Sequence, residues 1–214
     1  MSGPDLRPAK IDNMAAKNES KEKIMEAALS LFERYGYEKT TIEEIARSIG
    51  KAKTAVYYYY DGKQDILREA VRRELGSVRD ELSLYRARNT EKEPFCFRSY
   101  LKERMRLMIS LRVYPQFTIS QYSETANDAC EAVRQVREEF DAWEREYFLS
   151  VCEKGKKIGV FNDAVNPEAF ADMLLMLLKG VETQFFISKD KGPIVSTYNE
   201  MVDYLINGHC VECE

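Results

Sequence analysis

Residues 40–65 constrain the fold of this 214-residue chain more than any other stretch, because they predict two short helices joined by a tight turn. The turn falls at Gly50, since glycine readily takes the left-handed backbone conformation that ends a helix. Before the turn, apolar residues recur every three or four positions, as they do on the buried face of a helix. These residues are Ile42, Ile45, Ala46 and Ile49. The stretch therefore predicts an all-α unit built around a helix-turn-helix.

The first helix of the pair has a capping box at its start, in which a threonine hydroxyl accepts a backbone N–H and a glutamate three residues later reaches back. Two pairs fit this pattern, Thr40 with Glu43 and Thr41 with Glu44. The second helix, after the glycine turn, is predicted from about Lys53 to Tyr60.

The second helix is rich in Lys, Thr and Tyr, as a helix that enters the major groove of DNA often is. Its predicted inner side holds Val56, Tyr59 and Tyr60. Its predicted outer side holds Lys53, Thr54, Tyr57 and Tyr58. A packed aromatic helix is the alternative, but four consecutive tyrosines in a helix point in all directions, so at least one or two must face outward.

An amphipathic helix over residues 21–35 precedes the pair, and Gly36 is suited to end it. Its apolar positions are Ile24, Ala27, Ala28, Leu31, Phe32 and Tyr35. Residues 20–62 are therefore predicted to form a helix-turn-helix DNA-binding domain. We expect this domain to pack against the helix that follows and to need it for stability, because a unit of this size has only a small core.

This three-helix pattern resembles the tetracycline-repressor (TetR) family of bacterial transcription regulators. The positions that match in register are Phe32, Gly36, Tyr37, Thr40, Thr41, Ile42, Ile45, Ala46, Gly50, Val56, Tyr57, Tyr59, Tyr60, Lys63, Ile66 and Leu67. The resemblance implies a DNA-binding surface made of Thr41, Lys51, Ala52, Lys53, Thr54, Tyr57, Tyr58 and Lys63.

The resemblance also implies how these positions act. Thr41 would cap its helix near a phosphate, and Lys53 would stand at the start of the recognition helix. Tyr57 and Tyr58 would contact phosphate or base edges, and Lys63 would hold a phosphate from the fourth helix.

Two positions depart from the family pattern. Lys51 stands where the family usually has an apolar residue, and Ala52 stands where it usually has serine or another capping residue. An alanine can neither cap the recognition helix nor offer a hydroxyl to a phosphate.

Charge is distributed unevenly along the chain, whose formal net charge is −4. Residues 1–75 hold 14 Lys and Arg against 13 Asp and Glu, and the remainder holds 18 against 23. A nearly neutral N-terminal part and an acidic remainder suit a regulator that binds DNA through its N-terminal part alone. We expect its non-specific affinity for DNA to be modest and to fall with salt.

The rest of the chain predicts a larger helical unit over residues 63–207, so the fold class is all-α with about nine helices. The predicted helices span residues 64–87, 95–112, 116–122, 127–157, 166–188 and 194–206. Tyr114-Pro115 is expected to break the chain between two of them. Asn166-Pro167 is a strong start for the helix over residues 166–188, with asparagine at the N-cap and proline at the first helical position.

The helix over residues 166–188 is apolar nearly all round, so it must be covered on two sides. The resemblance implies that the last two long helices of each chain pair into a four-helix dimer interface. The interface residues are predicted to be Phe170, Leu174, Leu177, Gly180, Val181, Gln184, Phe185, Tyr198, Met201, Val202 and Leu205. Burial of both helices within a monomer is the alternative.

The body is also rich in methionine and aromatic residues, which most often simply fill a core. The resemblance implies instead an apolar ligand pocket, whose filling would move the helix over residues 64–87 and lower DNA affinity. The predicted pocket residues are Tyr100, Arg104, Met105, Met108, Phe117, Gln121, Tyr122, Trp143, Tyr147, Met173 and Met176, with Gln121 or Arg104 as a polar anchor.

Both ends of the chain are predicted to be tails. Residues 1–19 have no apolar run and are expected to be disordered, or alternatively to form a minor-groove arm that uses Arg7, Lys10 and Lys17. Residues 208–214 form the other tail. A metal or redox site at its His209, Cys210 and Cys213 would need a fourth ligand, so incidental thiols are the simpler interpretation.

Other classes of protein fit the sequence poorly. The chain has a single histidine and no motif of a hydrolase or phosphate-binding loop, so we expect no enzyme, cofactor or metal. Five cysteines without a secretory signal indicate reduced thiols in the cytoplasm, and the longest apolar run is too short to span a membrane.

Three functional hypotheses remain. The first is a homodimeric repressor released from a palindromic DNA operator by a hydrophobic or aromatic small molecule. The second is a DNA-binding regulator controlled by a protein partner without a small ligand. The third is a helical binding protein that has lost DNA binding, which the departures at Lys51 and Ala52 would permit.

Overall fold

The computed structural model describes residues 7–90, 96–118 and 128–209, and these form nine α-helices and no strand. The helices are α1 Arg7–Tyr35, α2 Ile42–Ser48, α3 Lys53–Tyr57, α4 Lys63–Asn89, α5 Phe97–Met108, α6 Tyr114–Thr118, α7 Asp128–Lys157, α8 Pro167–Ile187 and α9 Gly192–His209. The all-α prediction is confirmed. Within these described ranges no helix combines the length and the apolar character needed to cross a membrane.

The chain divides into two compact units, Met1–Ala70 and Val71–Glu214. The division falls within α4, eight residues after the predicted boundary at 62/63. The first two turns of α4 belong to the first unit because they bury Ile66, Leu67 and Ala70. We refer to these units as the head and the body.

Helix α1 begins at Arg7, well before the predicted start at residue 21, so the predicted disordered tail is wrong for residues 7–19. The prediction depended on an amphipathic pattern, which begins only at Ile24. After Pro8, however, the segment contains neither glycine nor proline and is rich in Ala, Lys and Glu, which favour helix. Pro8 itself lies in the first turn of the helix, where proline is tolerated.

In the body, the short helix α6 corrects a second prediction. Tyr114 and Pro115 begin this helix rather than break the chain, again because proline fits a first turn. The turn before α6 is held by Glu74 on α4, whose carboxylate accepts the backbone N–H groups of Arg112, Val113 and Tyr114 at 2.8–3.1 Å.

The predicted start of α8 is confirmed. Asn166 is the N-cap, its side-chain oxygen accepts the N–H of Ala169 at 3.1 Å, and Pro167 is the first helical residue. Helix α9 extends to His209, three residues past its predicted end. Cys210 and Cys213 lie outside the described residues.

Candidate functional sites

The start of α2 is fixed by one of the two predicted capping boxes. Thr41 Oγ1 accepts the N–H of Glu44 at 3.3 Å, and Glu44 Oε2 accepts the N–H of Thr41 at 2.8 Å. That backbone hydrogen bond is the main cause of a lowered pKa for the Glu44 carboxyl. Thr40 is instead buried and donates its hydroxyl to the carbonyl of Gly36 at 2.9 Å.

Helix α3 ends at Tyr57, earlier than the predicted Tyr60, and presents the polar face that the sequence indicates. Val56 and Tyr60 are buried, and Tyr59 is half-buried. Seven of the eight predicted DNA-binding side chains are exposed, and they are Thr41, Lys51, Ala52, Lys53, Thr54, Tyr57 and Tyr58. Tyr58 is 69% exposed, which is a large fraction for an aromatic side chain.

The lysine at the start of α3 has an anionic neighbour. Lys53 forms an ion pair with Glu43 on α2, and its ammonium lies 5.6 Å from the centroid of the Tyr57 ring. The hydrogen bond between the Lys53 and Glu43 side chains raises the pKa of Lys53 and lowers the pKa of Glu43. Both side chains are exposed, so a phosphate can compete for the lysine at little cost.

Lys17 on the early part of α1 also reaches this surface. Its ammonium lies 5.2 Å from the centroid of the Tyr58 ring. The side chains of Arg7 and Lys10, the other members of the alternative minor-groove arm, are outside the described residues. Only the Lys17 side chain can therefore be placed, and all three residues lie within helix α1 rather than in an extended arm.

Ala52 is the N-cap of α3 and makes no side-chain capping hydrogen bond. Replacing Ala52 with serine is expected to raise the free energy of unfolding by about 0.5–1 kcal/mol, because the hydroxyl supplies the missing acceptor at the helix start. Urea denaturation of the two proteins measures this difference. Ala55→Ser within the same helix is the control and should be neutral or slightly destabilising. A loss of stability in Ala52→Ser would contradict the assigned cap.

Lys63 lies at the start of α4, where the resemblance implies a phosphate contact. Its ammonium donates instead to three backbone carbonyls of the turn after α1, those of Tyr37, Glu38 and Thr40.

The predicted pocket residues of the body fall into three groups. Tyr100, Arg104, Met105, Met108, Phe117 and Tyr147 are buried, and Trp143 is half-buried. Met173 lines a separate hollow of about 340 Å³ beside the α7–α8 loop, and Met176 is 71% exposed on the outer face of α8. Gln121 and Tyr122 lie outside the described residues. Met173 and Met176 therefore do not share a site with the buried group.

Arg104 of the buried group belongs to a network of charged side chains whose other members the sequence analysis did not predict. Arg104 on α5 makes three hydrogen bonds to the Glu144 carboxylate at 2.6–2.9 Å and one to Glu182 at 2.5 Å. Arg137 on α7 binds the other oxygen of Glu182 at 2.5 Å and Asp141 at 2.6 Å. All five side chains are buried, so we refer to them as the buried charge network.

Further polar groups complete the network. The hydroxyl of Tyr114 lies 2.7 Å from an Arg137 nitrogen, and that of Tyr100 donates to Glu144 at 3.4 Å. Lys179 pairs with Asp141 from the half-buried edge of α8. Three cations thus meet three carboxylates, as buried charge requires.

Burial and pairing act in opposite directions on these groups. For Glu144, burial outweighs the nearby arginines and raises the pKa. For Glu182, burial would also raise the pKa, but Arg137 and Arg104 together lower it. For Arg104, burial alone would lower the pKa, yet Glu144 and Glu182 raise it, so the guanidinium stays charged.

An open apolar groove of about 420 Å³ lies between the outer faces of α8 and α9. Its lining is Met176, Leu177, Gly180, Val181, Gln184, Pro193, Ile194, Thr197, Tyr198 and Met201. Six of these residues belong to the predicted dimer interface, and they are Leu177, Gly180, Val181, Gln184, Tyr198 and Met201. We refer to this surface as the α8–α9 groove.

The burial of individual residues narrows the predicted interface. The side chains that are already buried within their own chain are Phe170, Leu174, Phe185, Tyr198 and Val202. Of these, only Tyr198 also lines the groove. The other four are buried away from the groove, three of them on α8 and Val202 on α9. For α8 this follows because a helix with apolar residues on every side must use one side for its own chain. Leu205 is half-buried near the end of α9.

Among the described residues there is no cluster of three or more His, Cys, Asp or Glu side chains that could hold a metal ion. The reduced cysteines in these ranges are Cys96, Cys130 and Cys152. The proposed tail site at His209, Cys210 and Cys213 cannot be placed, since two of its members lie outside the described residues.

Residues 24–70 match the family model of the bacterial regulatory proteins of the tetR family. Over 51 residues the chain is 41% identical to IcaR, the negative transcriptional regulator of the biofilm operon icaADBC of Staphylococcus epidermidis. That stretch covers 24% of this chain and 28% of the relative, so the chain matches less than a third of the relative's length.

Two solved structures show the same fold over most of the chain. NalD, the secondary repressor of the MexAB-OprM multidrug efflux pump in Pseudomonas aeruginosa, has a TM-score of 0.70 at 17% identity, covering 93% of this chain and all of that one. The regulator FadR from Bacillus subtilis, solved with stearoyl-CoA, has a TM-score of 0.63 at 16% identity, covering 87% and 98%. At such identities the likeness establishes the fold alone.

Proposed function

We propose, on the premise that the chain belongs to the tetR family of bacterial DNA-binding transcriptional regulators, that it is a homodimeric repressor acting in the cytoplasm. Its head would bind a palindromic operator, and a hydrophobic or aromatic small molecule would release it. The observation that carries the proposal is the exposed Lys–Thr–Tyr face of α3, which follows a capped α2 across a glycine turn.

The head supports the DNA-binding part of this proposal. Gly50 has a φ of +66°, so the turn between α2 and α3 has the left-handed conformation that the sequence predicts. Buried Val56 and Tyr60 hold α3 on the head, which leaves Lys53, Tyr57 and Tyr58 for phosphates and base edges. The α2–α3 pair thus has the form in which a helix enters a major groove.

The α8–α9 groove supports the dimer. Its apolar lining includes Met176, which is 71% exposed, and a contiguous exposed apolar patch often marks a site of protein–protein interaction. Pairing of two such grooves about a two-fold axis would give a self-complementary interface. Two heads about 34–36 Å apart could then read successive turns of a palindrome.

The control of DNA binding has two candidate forms. A FadR of the same fold was solved with stearoyl-CoA, a ligand with a long apolar acyl chain, and this favours an effector with an apolar part. The buried charge network favours the second candidate, control by a protein partner, because it occupies the part of the body where the pocket was predicted. Thermal-shift screening with apolar compounds separates the two, since only the first expects stabilisation.

Replacing Tyr57 with alanine is expected to weaken binding to the operator at least about tenfold, because each subunit loses one contact to a phosphate or base edge. Fluorescence anisotropy at two salt concentrations, with DNA flanking the gene of this protein, measures the change. Tyr204→Ala removes an exposed tyrosine of the body and should leave affinity unchanged. Equal affinity of Tyr57→Ala and the unaltered protein would contradict the proposed surface.

A further inference from the structure

The first part of helix α1 carries its charged residues on two separate faces. Four basic residues follow each other at steps of three, seven and four, the spacing of a single helical face, and they are Arg7, Lys10, Lys17 and Lys21. Four acidic residues follow steps of seven, three and four, and they are Asp12, Glu19, Glu22 and Glu26. At 3.6 residues per turn the two rows lie about 150° apart around the helix axis. We refer to the four basic residues as the basic row.

Two contacts hold the basic row against the segment that ends α3. The Lys21 ammonium lies 5.2 Å from the centroid of the buried Tyr60 ring, and the Tyr60 hydroxyl donates to the Lys21 carbonyl at 3.3 Å. One turn earlier on α1, the exposed Lys17 places its ammonium 5.2 Å from the centroid of the Tyr58 ring. Tyr58 is a predicted DNA contact, so the basic row lies on the same side of the head as the predicted DNA-binding surface.

From Lys17 the basic row continues toward the start of α1. Arg7 lies ten positions before Lys17, which is about 15 Å along a straight helix. Duplex DNA carries one phosphate charge for every ~1.7 Å of its axis, so a basic row of this length can run past several phosphates. Residues 7–23 of α1 precede residue 24, where the match to the family model begins, so the match assigns no DNA contact to this part of the helix.

We propose that the start of α1 is a second DNA-binding element, whose basic row contacts the phosphate backbone beside the major groove that α3 enters. Lys17 is the central residue of this contact, and Arg7 and Lys10 share its register on the helix. The inference rests on the proposed function and deepens it, because phosphate contacts would fix the position of the head while α3 reads bases.

A minor-groove arm made of the same residues does not fit a helical α1. An α-helix with its side chains is about 10–12 Å wide, whereas the minor groove of DNA is only about 6 Å wide. A helix can lie along the phosphates at the edge of a groove without entering it. The helical start of α1 therefore favours contacts that carry no sequence information over contacts to base edges.

The salt dependence of DNA binding by the full-length protein tests this proposal. The two probes are duplex DNA flanking the gene of this protein and a duplex of the same length and composition in scrambled order. The main variant combines Arg7→Gln, Lys10→Gln and Lys17→Gln, which removes three charges and keeps good helix formers. The slope of log K against log salt is expected to become shallower by about two to three for each subunit, and equally so on both duplexes.

Single substitutions supply the controls. Lys17→Gln alone should make the slope shallower by about one for each subunit, and Lys17→Arg should retain the original slope because it keeps the charge. Lys23→Gln is the matched control, since Lys23 lies on the same helix, is exposed and pairs with Glu19 of the acidic row. Its slope should equal that of the unaltered protein.

The outcomes separate this inference from the proposed function. An unchanged slope in the triple variant, with binding that Tyr57→Ala still weakens, would overturn the inference and leave the proposed function standing. A change confined to the flanking duplex would indicate base contacts, and an equal change in Lys23→Gln would indicate a general effect of charge. Either result would overturn the phosphate contact. If the unaltered protein binds neither duplex, the proposed function fails and this inference fails with it.

Discussion

Replacing Arg104 with methionine is expected to lower the free energy of unfolding of the body by about 3–5 kcal/mol, the usual cost of removing one partner from a buried ion pair. Arg104 makes four hydrogen bonds to Glu144 and Glu182, and the side chains of both glutamates are at most 1% exposed. Without the arginine, these carboxylates face each other with only Arg137 to neutralise them. The lost charge, rather than the lost volume, causes the effect, because methionine fills much of the same space.

Urea denaturation monitored by circular dichroism measures this loss. Arg106→Met is the matched control, since Arg106 lies on the same helix, is 63% exposed in its side chain and pairs with Glu103 one turn away. Its removal should change stability by less than about 1 kcal/mol. If both variants lose a comparable free energy of unfolding, the buried ion pairs of Arg104 stabilise the protein no more than a surface ion pair does.

The second large effect is expected at the α8–α9 groove. Replacing Met176 with glutamate should raise the dissociation constant of the proposed dimer at least about 100-fold, because each subunit would bring an unpaired carboxylate into the proposed apolar interface. The fold of each subunit should be retained, since Met176 is 71% exposed in the single chain. Affinity for a palindromic duplex should fall as well, because a monomer offers one head where the proposed operator has two half-sites.

Analytical ultracentrifugation over a range of protein concentrations measures the dissociation constant. Ile158→Glu is the control, because Ile158 is also an exposed apolar residue, at 56%, but lies outside the groove. A dimer that is unaffected by Met176→Glu would mean that the subunits associate through another surface, or do not associate at all.

Periodicity and capping residues predicted most of the fold. The helical repeat of apolar residues located the helices of the body, and Asn166 marked the start of α8 correctly. The exposed face of α3 also followed from its sequence, because Val56 and Tyr60 fix which side is inward. The choice between Thr40 and Thr41 as the cap could not be made, since both are followed by glutamate at the required spacing.

The buried charge network could not be found in the same way. Arg104 and Glu182 are 78 positions apart, and nearly a third of the chain is charged, so each residue looks like ordinary helical surface. One signal was available, because Glu182 continues the spacing of the buried residues Leu174 and Leu178 on α8. A carboxylate at such a position needs a buried cation as partner.

The predicted dimer interface could not be divided correctly from the sequence, because composition does not show which way each residue faces in a helix that is apolar all round. The sequence predicted that α8 needs cover on two sides, but its composition could not assign each residue to one side or the other. Leu174 and Phe185 face the core of their own chain, whereas Leu177 and Val181 line the groove, and all four are equally apolar. Only the packing of the rest of the body separates these two sets.

The division between head and body lies within one uninterrupted helix, between Ala70 and Val71. The buried side chains of α4 continue across this point, since Ile66, Leu67 and Ala70 precede it and Val71, Leu75 and Val78 follow it. Inserting a single residue there would displace the later members of this buried row by about 100° around the helix axis. The length of this segment is therefore expected to tolerate substitutions far better than insertions or deletions.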